Sequence, residues 1–412
     1  MALIDLSKHE QRLNESRRRV ETVSRFEEAD RVPVQITEAG SFYCSMFGID
    51  IRDYYTDLET QVDVQSRGLK WRLEELQDDR PLASLYMDLG PVGEAIAFDL
   101  DLVFPPGTSP WIICPLKTPE DIRKWTPPDP AANPRIDWFY RRFEKFRTIA
   151  EKKDIGVPVD QARAGIHPPL SAACAIMDPA DFYVLMIEDP QTADLLLKKL
   201  FDFYCRLTDW QDERLGTKTV RLGLCDDNSC AISDDLYRKM VLPYNLALYE
   251  RYGTQYRHLH ADGPNDQHFK TYAEIIRLDA MDIGGFSDLH AAVRDMKGKV
   301  VIYGALNNRD FYGPFDDRSK AIVDDQLRTA GPGGGYVLAV GGETYAGVPP
   351  QTLIDLVRYA KERGRYPLWR EDFEMQDDRK EEHDLRAARA AMREKGKNLT
   401  WKQMKRELGI KK

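Results

Sequence analysis

The sequence predicts an α/β protein built as a single (β/α)8 barrel, with a helical segment before it and a charged helical extension after it. Short apolar segments alternate along the chain with amphipathic segments at helical spacing, and turns rich in Gly, Asp or Asn separate them. Alternating strands and helices imply a parallel sheet with helices on its faces, and eight such units favour closure into a barrel. An open, doubly wound sheet is the competing architecture.

The first elements are a charged helix and a short strand. Residues 7–29 carry Leu13, Val20 and Val23 at helical spacing, and a β-branched run at residues 32–36 follows. A proline near the beginning of a strand is tolerated. The other predicted strands are at residues 82–88, 156–160, 219–224, 256–260, 280–283, 300–303 and 336–340.

The predicted helices fall between these strands. Pro243 is expected to kink or break the helix that contains it, because proline removes a backbone hydrogen bond. The least regular part, residues 89–135, contains apolar runs at residues 98–104 and 111–113 that predict a hairpin or a cap over one end. The helices are predicted at residues 138–153, 179–215, 234–252, 269–278, 289–296, 318–329 and 350–363.

The length and composition fit one large domain. The chain has 412 residues, of which 42% are hydrophobic, and α/β barrels of this length occur as one domain. We expect residues 1–368 to form the barrel. From residue 369 the composition shifts to Arg, Lys, Glu and Ala, which predicts a helical extension at residues 369–412 that is solvated rather than a docking arm.

Charge and cysteine usage exclude several classes of function. The net charge of −9 argues against nucleic acid or an anionic membrane as the main ligand, since both require a basic surface. The sequence lacks both a signal peptide pattern and a run of the roughly 18 apolar residues that a membrane helix needs. Its six cysteines are scattered without a CxxC pair. We therefore expect a cytoplasmic protein without a disulfide scaffold.

The polar residues with the clearest chemical pattern are at the end of the strand at 256–260. Side chains alternate along a strand, so His258, His260 and Asp262 share one face while Leu259 and Ala261 share the other. In a barrel the chemistry takes place at the carboxyl ends of the strands. Imidazole and carboxylate are ligands for Zn²⁺, and they equally form a general base with its orienting partner. A buried histidine and a turn-capping aspartate are the structural alternative.

Two further strand ends carry acidic residues. Asp226 and Asp227 follow the strand at 219–224, where they can bind a metal or orient a substrate, or instead cap the next helix. Glu343 follows Gly341 and Gly342 at the exit of the last strand, and a glycine pair allows the backbone to approach a ligand closely.

A wider set of strand-end residues is expected to line the substrate pocket. Asp282 is a weaker candidate within the strand at 280–283. The aromatic pair after the first strand either walls a pocket or packs under a loop. The predicted substrate-binding residues are Glu38, Phe42, Tyr43, Arg163, His167, Asn307 and Tyr345.

Four segments over residues 20–365 together resemble the uroporphyrinogen decarboxylase superfamily, and more closely its corrinoid-dependent methyltransferase branch. The resemblance implies a barrel, in agreement with the element pattern. The arginine-rich substrate motif of the decarboxylases is not found after Val34, which argues against tetrapyrrole decarboxylation. The segments are Asp30-Arg31-Val32-Pro33-Val34, Asp226-Asp227 with Ile232-Ser233-Asp234-Asp235, His260-Ala261-Asp262-Gly263, and Tyr303-Gly304-Ala305-Leu306-Asn307 with the glycine-rich turn at residues 331–335.

The resemblance also implies a metal site. The methyltransferase branch holds zinc with a His-x-Cys pair at this strand end and a further Cys near the last strand. Here His260 is retained, but Asp262 and Glu343 stand where the branch has cysteines, so the expected Zn²⁺ ligands are His260, Asp262 and Glu343. A nitrogen and oxygen set is harder than thiolate and suits activation of an ether oxygen.

The predicted function is methyl transfer from an O-methyl donor, such as a methoxyaromatic compound, to the Co(I) corrinoid of a partner protein. His260, Asp262, Asp226 and Asp227 are the expected catalytic residues, with metal or acid activation of the ether oxygen. The first alternative is a metal-independent decarboxylase or lyase of the same superfamily that acts on a small acid. The second is a non-enzymatic subunit of a methyltransferase complex. The oligomeric state stays open, with a homodimer as one expectation.

Overall fold

A parallel sheet of six strands lies at the centre of the computed structural model, which describes residues 2–368. The sheet order is β1-β8-β7-β6-β5-β4, and a separate two-stranded sheet pairs β2 with β3. Each strand from β4 to β8 therefore pairs with the next along the chain, and the last strand returns to the first. The strands are β1 (Val34–Gln35), β2 (Leu102–Val103), β3 (Trp111–Ile112), β4 (Arg221–Cys225), β5 (Tyr256–His260), β6 (Ala280–Asp282), β7 (Val301–Leu306) and β8 (Tyr336–Val340).

The segments predicted as the second and third strands lie between β1 and β4 in the chain and pair irregularly. The backbone N–H of Asp79 donates to the oxygen of Val34 at 2.7 Å, and Leu85 pairs in parallel with Val159. A cavity of about 470 Å³ lies between residues 163–166 and 218–223. The predicted α/β class is confirmed, and the return of β8 to β1 is the arrangement of a (β/α)8 barrel.

Sixteen helices of the described residues surround the sheet. Several begin with an aspartate cap or a proline in the first turn, which satisfies or removes the unpaired N–H groups of a helix end. The helices are α1 (Glu10–Val23), α2 (Gly40–Phe47), α3 (Ile51–Thr56), α4 (Leu58–Trp71), α5 (Gly93–Phe98), α6 (Pro119–Lys124), α7 (Pro134–Lys152), α8 (Pro169–Ile176), α9 (Pro179–Glu188), α10 (Pro190–Leu215), α11 (Asp234–Leu236), α12 (Leu242–Tyr252), α13 (Phe269–Thr271), α14 (Leu289–Met296), α15 (Asp317–Ala330) and α16 (Pro350–Arg363).

The helix predicted over residues 234–252 is interrupted, as Pro243 led us to expect. A π-helical turn at Tyr237–Val241 separates α11 from α12. Proline lacks the N–H of the regular helix and its ring crowds the preceding turn, so the backbone widens there. The predicted hairpin is also confirmed, because Leu102 pairs with Ile112 in an antiparallel register.

The Asp30-Arg31 motif serves the fold. Arg31 and Arg19 both form ion pairs with the buried Asp79, at 2.5 and 2.8 Å, and Arg19 also binds Asp30 at 2.6 Å. Asp79 accepts the backbone N–H of Val34 as well, at 2.9 Å. This network ties α1 to β1 and to the segment that precedes the second strand position.

Residues Met1–Tyr366 form one compact unit. Within residues 2–368, no helix is both long enough and apolar enough to span a lipid bilayer. The predicted helical extension at residues 369–412 lies outside the described residues.

Candidate active site

The end of β5 presents the polar face that strand alternation predicts. Leu259 and Ala261 are buried on one side, with Leu259 only 1% exposed. His258, His260 and Asp262 are partly buried on the other side. His258 lies deeper, where its ring packs edge-on against Tyr303 with centroids 6.4 Å apart, and burial lowers its pKa.

His260 is surrounded by carboxylates. It pairs in register with Asp282 of β6, and its Nδ1 lies 3.0 Å from Asp282 Oδ2. On the other side of the ring, Nε2 lies 3.5 Å from Asp227 Oδ1 and 3.8 Å from Asp262 Oδ1. Burial lowers the pKa of His260, but its carboxylate neighbours outweigh burial and raise the pKa to about 12.

The glycines at the exit of β8 position Asp282. Gly342 donates its backbone N–H to Asp282 Oδ2 at 3.2 Å, and its φ of 70° is the left-handed conformation that glycine adopts freely. A Cβ on Gly341 would lie 2.1 Å from backbone atoms of Gly284 and Gly285. Gly341 therefore permits a close approach to the backbone after β6, whereas a Cβ on Gly342 would lie 3.0 Å from Asp262 Oδ1, inside the site.

Asp227, His260 and Asp262 form a cluster with the geometry of metal ligands. One ligand atom from each lies within 4.8 Å of the others. The other ring nitrogen of His260, Nδ1, contacts Asp282. Such a contact fixes the tautomer and ring orientation of metal-binding histidines. Three protein ligands with an open position are typical of catalytic zinc. Glu343 lines the same cavity but does not belong to this cluster among the described residues.

The cluster opens into a strongly acidic cavity of about 510 Å³. None of the described residues that line it is Lys or Arg, and its cationic groups are His167 and His260. The side chains of Tyr55, Tyr86 and Tyr345 supply aromatic surface. Its five carboxyl groups belong to Asp88, Asp227, Asp262, Asp282 and Glu343.

His167 lines this cavity and is held in place by the carboxylate of Glu94. The buried Glu94 of α5 accepts the backbone N–H of His167 at 2.7 Å, and the same oxygen lies 2.9 Å from His167 Nδ1. Burial lowers the pKa of His167, but the charge and hydrogen bond of Glu94 outweigh burial and raise it to about 9. His167 is therefore a cation at neutral pH.

The matches to known proteins agree with this fold. The family model for uroporphyrinogen decarboxylase (URO-D) matches residues 15–363, most of the chain. The chain belongs to the uroporphyrinogen decarboxylase family. A solved structure named methyltransferase from Methanosarcina mazei superposes with a TM-score of 0.60 at 16% identity, over 84% of this chain and 98% of that one. This likeness shows a shared fold.

A second solved structure is more distant. It is described as a vitamin-B12-independent methionine synthase from Listeria monocytogenes, with 12% identity, a TM-score of 0.38, and coverage of 82% of this chain and 98% of that one. A likeness at this level does not define a shared fold, and we draw nothing from it.

Asp226, in this family member, lies outside the lining of the acidic cavity. It is fully buried, and its carboxylate accepts from Ser171 Oγ at 2.9 Å and from Asn245 Nδ2 at 2.8 Å. Burial raises the pKa of Asp226 to about 6, against the opposing effect of these hydrogen bonds. Its neighbour Asp227 faces the cavity instead and accepts the backbone N–H of Asp262 at 2.8 Å.

The predicted substrate-binding residues separate into three groups. His167 and Tyr345 line the acidic cavity, whereas Glu38 and Tyr43 line a second cavity of about 490 Å³. The other three are held elsewhere, so the structure does not bring them to the acidic cavity. Phe42 is buried against Trp71, Arg163 forms an ion pair with Asp212 at 2.5 Å, and Asn307 bonds the backbone of Gly285 and Arg309.

Two carboxylates of the site were not selected from the sequence. Asp88 ends the segment predicted as the second strand, so its position at a strand end was a usable signal. Glu94 had none, because it lies in the six-residue helix α5 and meets His167 across 73 residues of sequence. Asp282 was a weaker candidate, and the register of β6 with β5 places it beside His260.

Proposed function

We propose that this chain is a methyltransferase that takes a methyl group from an O-methyl donor, such as a methoxyaromatic compound, and transfers it to the Co(I) corrinoid of a partner protein. The observation that carries the proposal is the cluster of Asp227, His260 and Asp262 in the acidic cavity. Family membership and the fold shared with a protein named as a methyltransferase support an enzyme of this type.

The cluster would hold a metal ion, for which we propose Zn²⁺. His260 would release its Nε2 proton on metal binding and bind through Nε2, because Nδ1 contacts Asp282, and Asp227 and Asp262 would each give a carboxylate oxygen. A nitrogen and oxygen set is hard and leaves the metal electrophilic, so the ion would polarise the ether oxygen of the donor. Asp227 thus takes the place that we expected for Glu343.

The negative charge of the acidic cavity favours a neutral reacting group over an anionic one. Five carboxyl groups surround two histidines there, and at close range like charges repel by several kcal/mol in a partly buried site. A neutral methoxy group is accepted at this position, whereas the carboxylate of a small acid is disfavoured. This disfavours the decarboxylase alternative, in which a carboxylate is the reacting group.

We assign His167 as the proton donor to the leaving oxygen. When the methyl group passes to cobalt, the carbon–oxygen bond breaks, its electron pair stays on oxygen, and the new bond uses the electron pair of Co(I). The oxygen therefore requires a proton. His167 lines the cavity, and Glu94 keeps it protonated at neutral pH, which meets the requirement for a general acid.

A partner protein would approach at the mouth formed by the strand ends. Phe286, Tyr312 and Tyr345 follow β6, β7 and β8 respectively, and all three side chains are exposed. Tyr312 lies close to the loop of Tyr345, since a Cβ on Gly347 would meet its ring at 3.0 Å. We call these three residues the aromatic rim. Exposed aromatic residues are enriched at protein interfaces.

Methyl transfer to free cob(I)alamin tests the proposal directly. The zinc-loaded protein is mixed with cob(I)alamin and a panel of methoxyaromatic donors, and the absorbance change from Co(I) to methylcobalamin is followed. We expect methylation with release of the phenol, and loss of this activity in His260→Ala with the fold preserved.

Other outcomes would refute parts of this proposal. Release of CO₂ from a small acid without any methylation of cobalamin would replace it with the lyase alternative. Full activity in protein shown to be free of metal would refute the role of the metal. Acid activation of the ether oxygen by the histidines would then remain. Unchanged pathway activity of His260→Ala would favour the non-enzymatic subunit.

A further inference from the structure

Arg72 is a buried arginine in the wall of the second cavity, the one lined by Glu38 and Tyr43. It directly follows α4, is 6% exposed and lines this cavity of about 490 Å³. Its Nη2 donates to the backbone oxygen of Leu82. Among the residues that the structure describes, no carboxylate oxygen lies within ion-pair distance of this guanidinium.

The neighbouring arginine of the cavity is already neutralised. Arg80 forms ion pairs with Glu38 and Asp78, and Glu38 also accepts a hydrogen bond from Tyr43 at 3.0 Å. Glu38 and Asp78 also attract Arg72, but neither lies within ion-pair distance of its guanidinium, so Arg72 has no direct carboxylate partner among the described residues. Burial and the nearby charge of Arg80 lower the pKa of Arg72, and they outweigh the opposing charges of Asp78 and Glu38. A buried charge is costly unless it is paired.

The second cavity adjoins the acidic cavity. Thr37, Tyr86 and Glu343 line both. A molecule that extends past these shared residues would have one end beside Arg72 and the other end beside His260. The two ends differ in charge, because the second cavity offers the guanidinium of Arg72, whereas the acidic cavity has five carboxyl groups and neither Lys nor Arg among the described residues that line it.

We propose that Arg72 binds a carboxylate of the methyl donor while the O-methyl end of the same molecule lies beside His260. This inference rests on the proposed function and narrows the donor to an O-methylated carboxylic acid. A guanidinium matches a carboxylate through two parallel hydrogen bonds. The carboxylates around His260 repel the acid end, so the donor enters in one orientation and presents its methoxy group to the cluster.

Binding affinities for matched ligands test the role of Arg72 without requiring turnover. The probes are a methoxyphenylpropanoate, its neutral carboxamide, and propanoate alone, each titrated into the zinc-loaded protein by calorimetry. We expect the wild type to bind the acid about tenfold or more tightly than the amide, and propanoate much more weakly than either. Arg72→Met should abolish the preference for the acid and leave the affinity for the amide unchanged.

Arg257 provides a matched control. Its guanidinium is also partly buried and donates to two backbone oxygens, those of Gly253 and Ile276. It lies on β5 at the end remote from His260, and it is not among the residues that line either cavity. Arg257→Met should retain the preference for the acid. If Arg72→Met does not fold, Arg72→Lys retains the charge without the planar fork and should reduce the preference severalfold.

Equal affinity of the wild type for acid and amide would overturn the inference, and so would an acid preference that survives in Arg72→Met. Propanoate that binds as tightly as the full donor would show a free-anion site rather than a donor site, and would equally overturn it. Methylation of cobalamin by acid and amide alike would leave the proposed function standing without this inference. Arg72-dependent binding of the acid without methyl transfer would refute the proposed function alone.

Discussion

The side chain of His260 acquires its properties from the backbone around it. Asp282 contacts Nδ1 at 3.0 Å because β5 and β6 pair in register, and two backbone N–H groups after β6 and β8 hold that carboxylate in place. Nε2 is thereby left facing Asp227 and Asp262. Orientation of a ligand by such an outer partner commonly affects metal affinity by about 10–100-fold.

Asp282→Asn should therefore weaken zinc binding by about 10–100-fold without unfolding the protein. Competition with a chromophoric chelator measures the affinity. Asp279→Asn is the matched control, because Asp279 directly precedes β6 and accepts the backbone N–H of Arg257 at 2.7 Å, remote from His260. Equal zinc affinity in Asp282→Asn and the wild type would contradict the role assigned to Asp282.

Glu94→Gln should shift the alkaline limb of the pH–rate profile, where activity falls, to lower pH. The folded pKa of His167 is raised to about 9, above an unfolded value of about 6.5. The contribution of protonated His167 to the stability of the fold is therefore fully present below about pH 6.5 and is lost as the pH rises through 9. As a general acid, His167 should give activity that falls near pH 9 in the wild type. In the variant this fall should occur at least about one pH unit lower.

The pH–rate profile of Glu94→Gln is paired with an NMR titration of the His167 ring. The titration should show the same downward shift. A limb that stays near pH 9 while the ring titration moves would assign the proton transfer to another group. An unmoved ring titration would contradict the pairing with Glu94.

Asp226→Asn should stabilise the protein at neutral pH. The folded pKa of Asp226 is raised from 3.8 to about 6, so the folded state binds this proton more tightly and stability falls as the pH rises from about 4 to 6. A shift of this size corresponds to about 3 kcal/mol for a fully buried group. The unpartnered oxygen of Asn245 can accept from the new amide after a side-chain flip.

Urea unfolding at a series of pH values measures this effect of Asp226→Asn. The gain over the wild type should be about 1–3 kcal/mol above pH 6 and should vanish near pH 4. A variant that loses turnover without any gain in stability would instead place Asp226 in the chemistry.

The residues that sequence reasoning found and those it missed differ in how they are positioned. His260 and Asp262 follow from strand alternation, which needs only local sequence. Asp227 and Asp282 lie at ends of neighbouring strands, so their position was predictable but their contact with His260 was not. The Glu94–His167 and Arg72 contacts depend on loops and short helices between elements, for which the sequence has no periodic pattern.

At the scale of elements, the predicted bounds agree best in the second half of the chain. The predicted β5, β8, α14 and α16 have the observed bounds. Helices α2 to α6 were not predicted. Four of the five have eight residues or fewer, and α2 is apolar on most sides, as in Phe42-Tyr43-Cys44, but α4 was missed despite its 14 residues. A helical period needs about 11 or more residues to stand out. The second and third strand positions were predicted, yet they pair through isolated contacts.

Gly341→Ala tests the close approach between the exits of β6 and β8. A Cβ would lie 2.1 Å from the backbone of Gly284 and Gly285, which cannot move aside as a flexible side chain would. We expect a loss of about 1–3 kcal/mol in the free energy of unfolding, together with weaker zinc binding. Gly313→Ala is the control, because nothing lies within 4 Å of a Cβ there. Equal stability of the two variants would show that the strand exits separate easily.

At the scale of the whole molecule, the sheet gathers residues distant in sequence at one end. The ends of β4, β5 and β6 contribute Asp227, His260, Asp262 and Asp282, while α5 and the loop before α8 contribute Glu94 and His167. The aromatic rim surrounds the same end on three successive loops. A methyl acceptor carried by a partner protein would have to reach the cavity from that side.

Replacing two residues of the aromatic rim should weaken the use of a corrinoid protein without affecting the methyl donor. We expect Phe286→Ala combined with Tyr312→Ala to raise the KM for a corrinoid protein about tenfold or more, because loss of aromatic anchors removes at least 1–2 kcal/mol from an interface. Neither residue lines the acidic cavity, so transfer to free cob(I)alamin and the affinity for the methoxylated donor should stay unchanged. Trp138 on α7 supplies the control, since Trp138→Ala removes another exposed aromatic side chain, 38% exposed, from a helix face. An unchanged KM for the corrinoid protein in the double variant, or an equal effect of Trp138→Ala, would place the docking surface elsewhere.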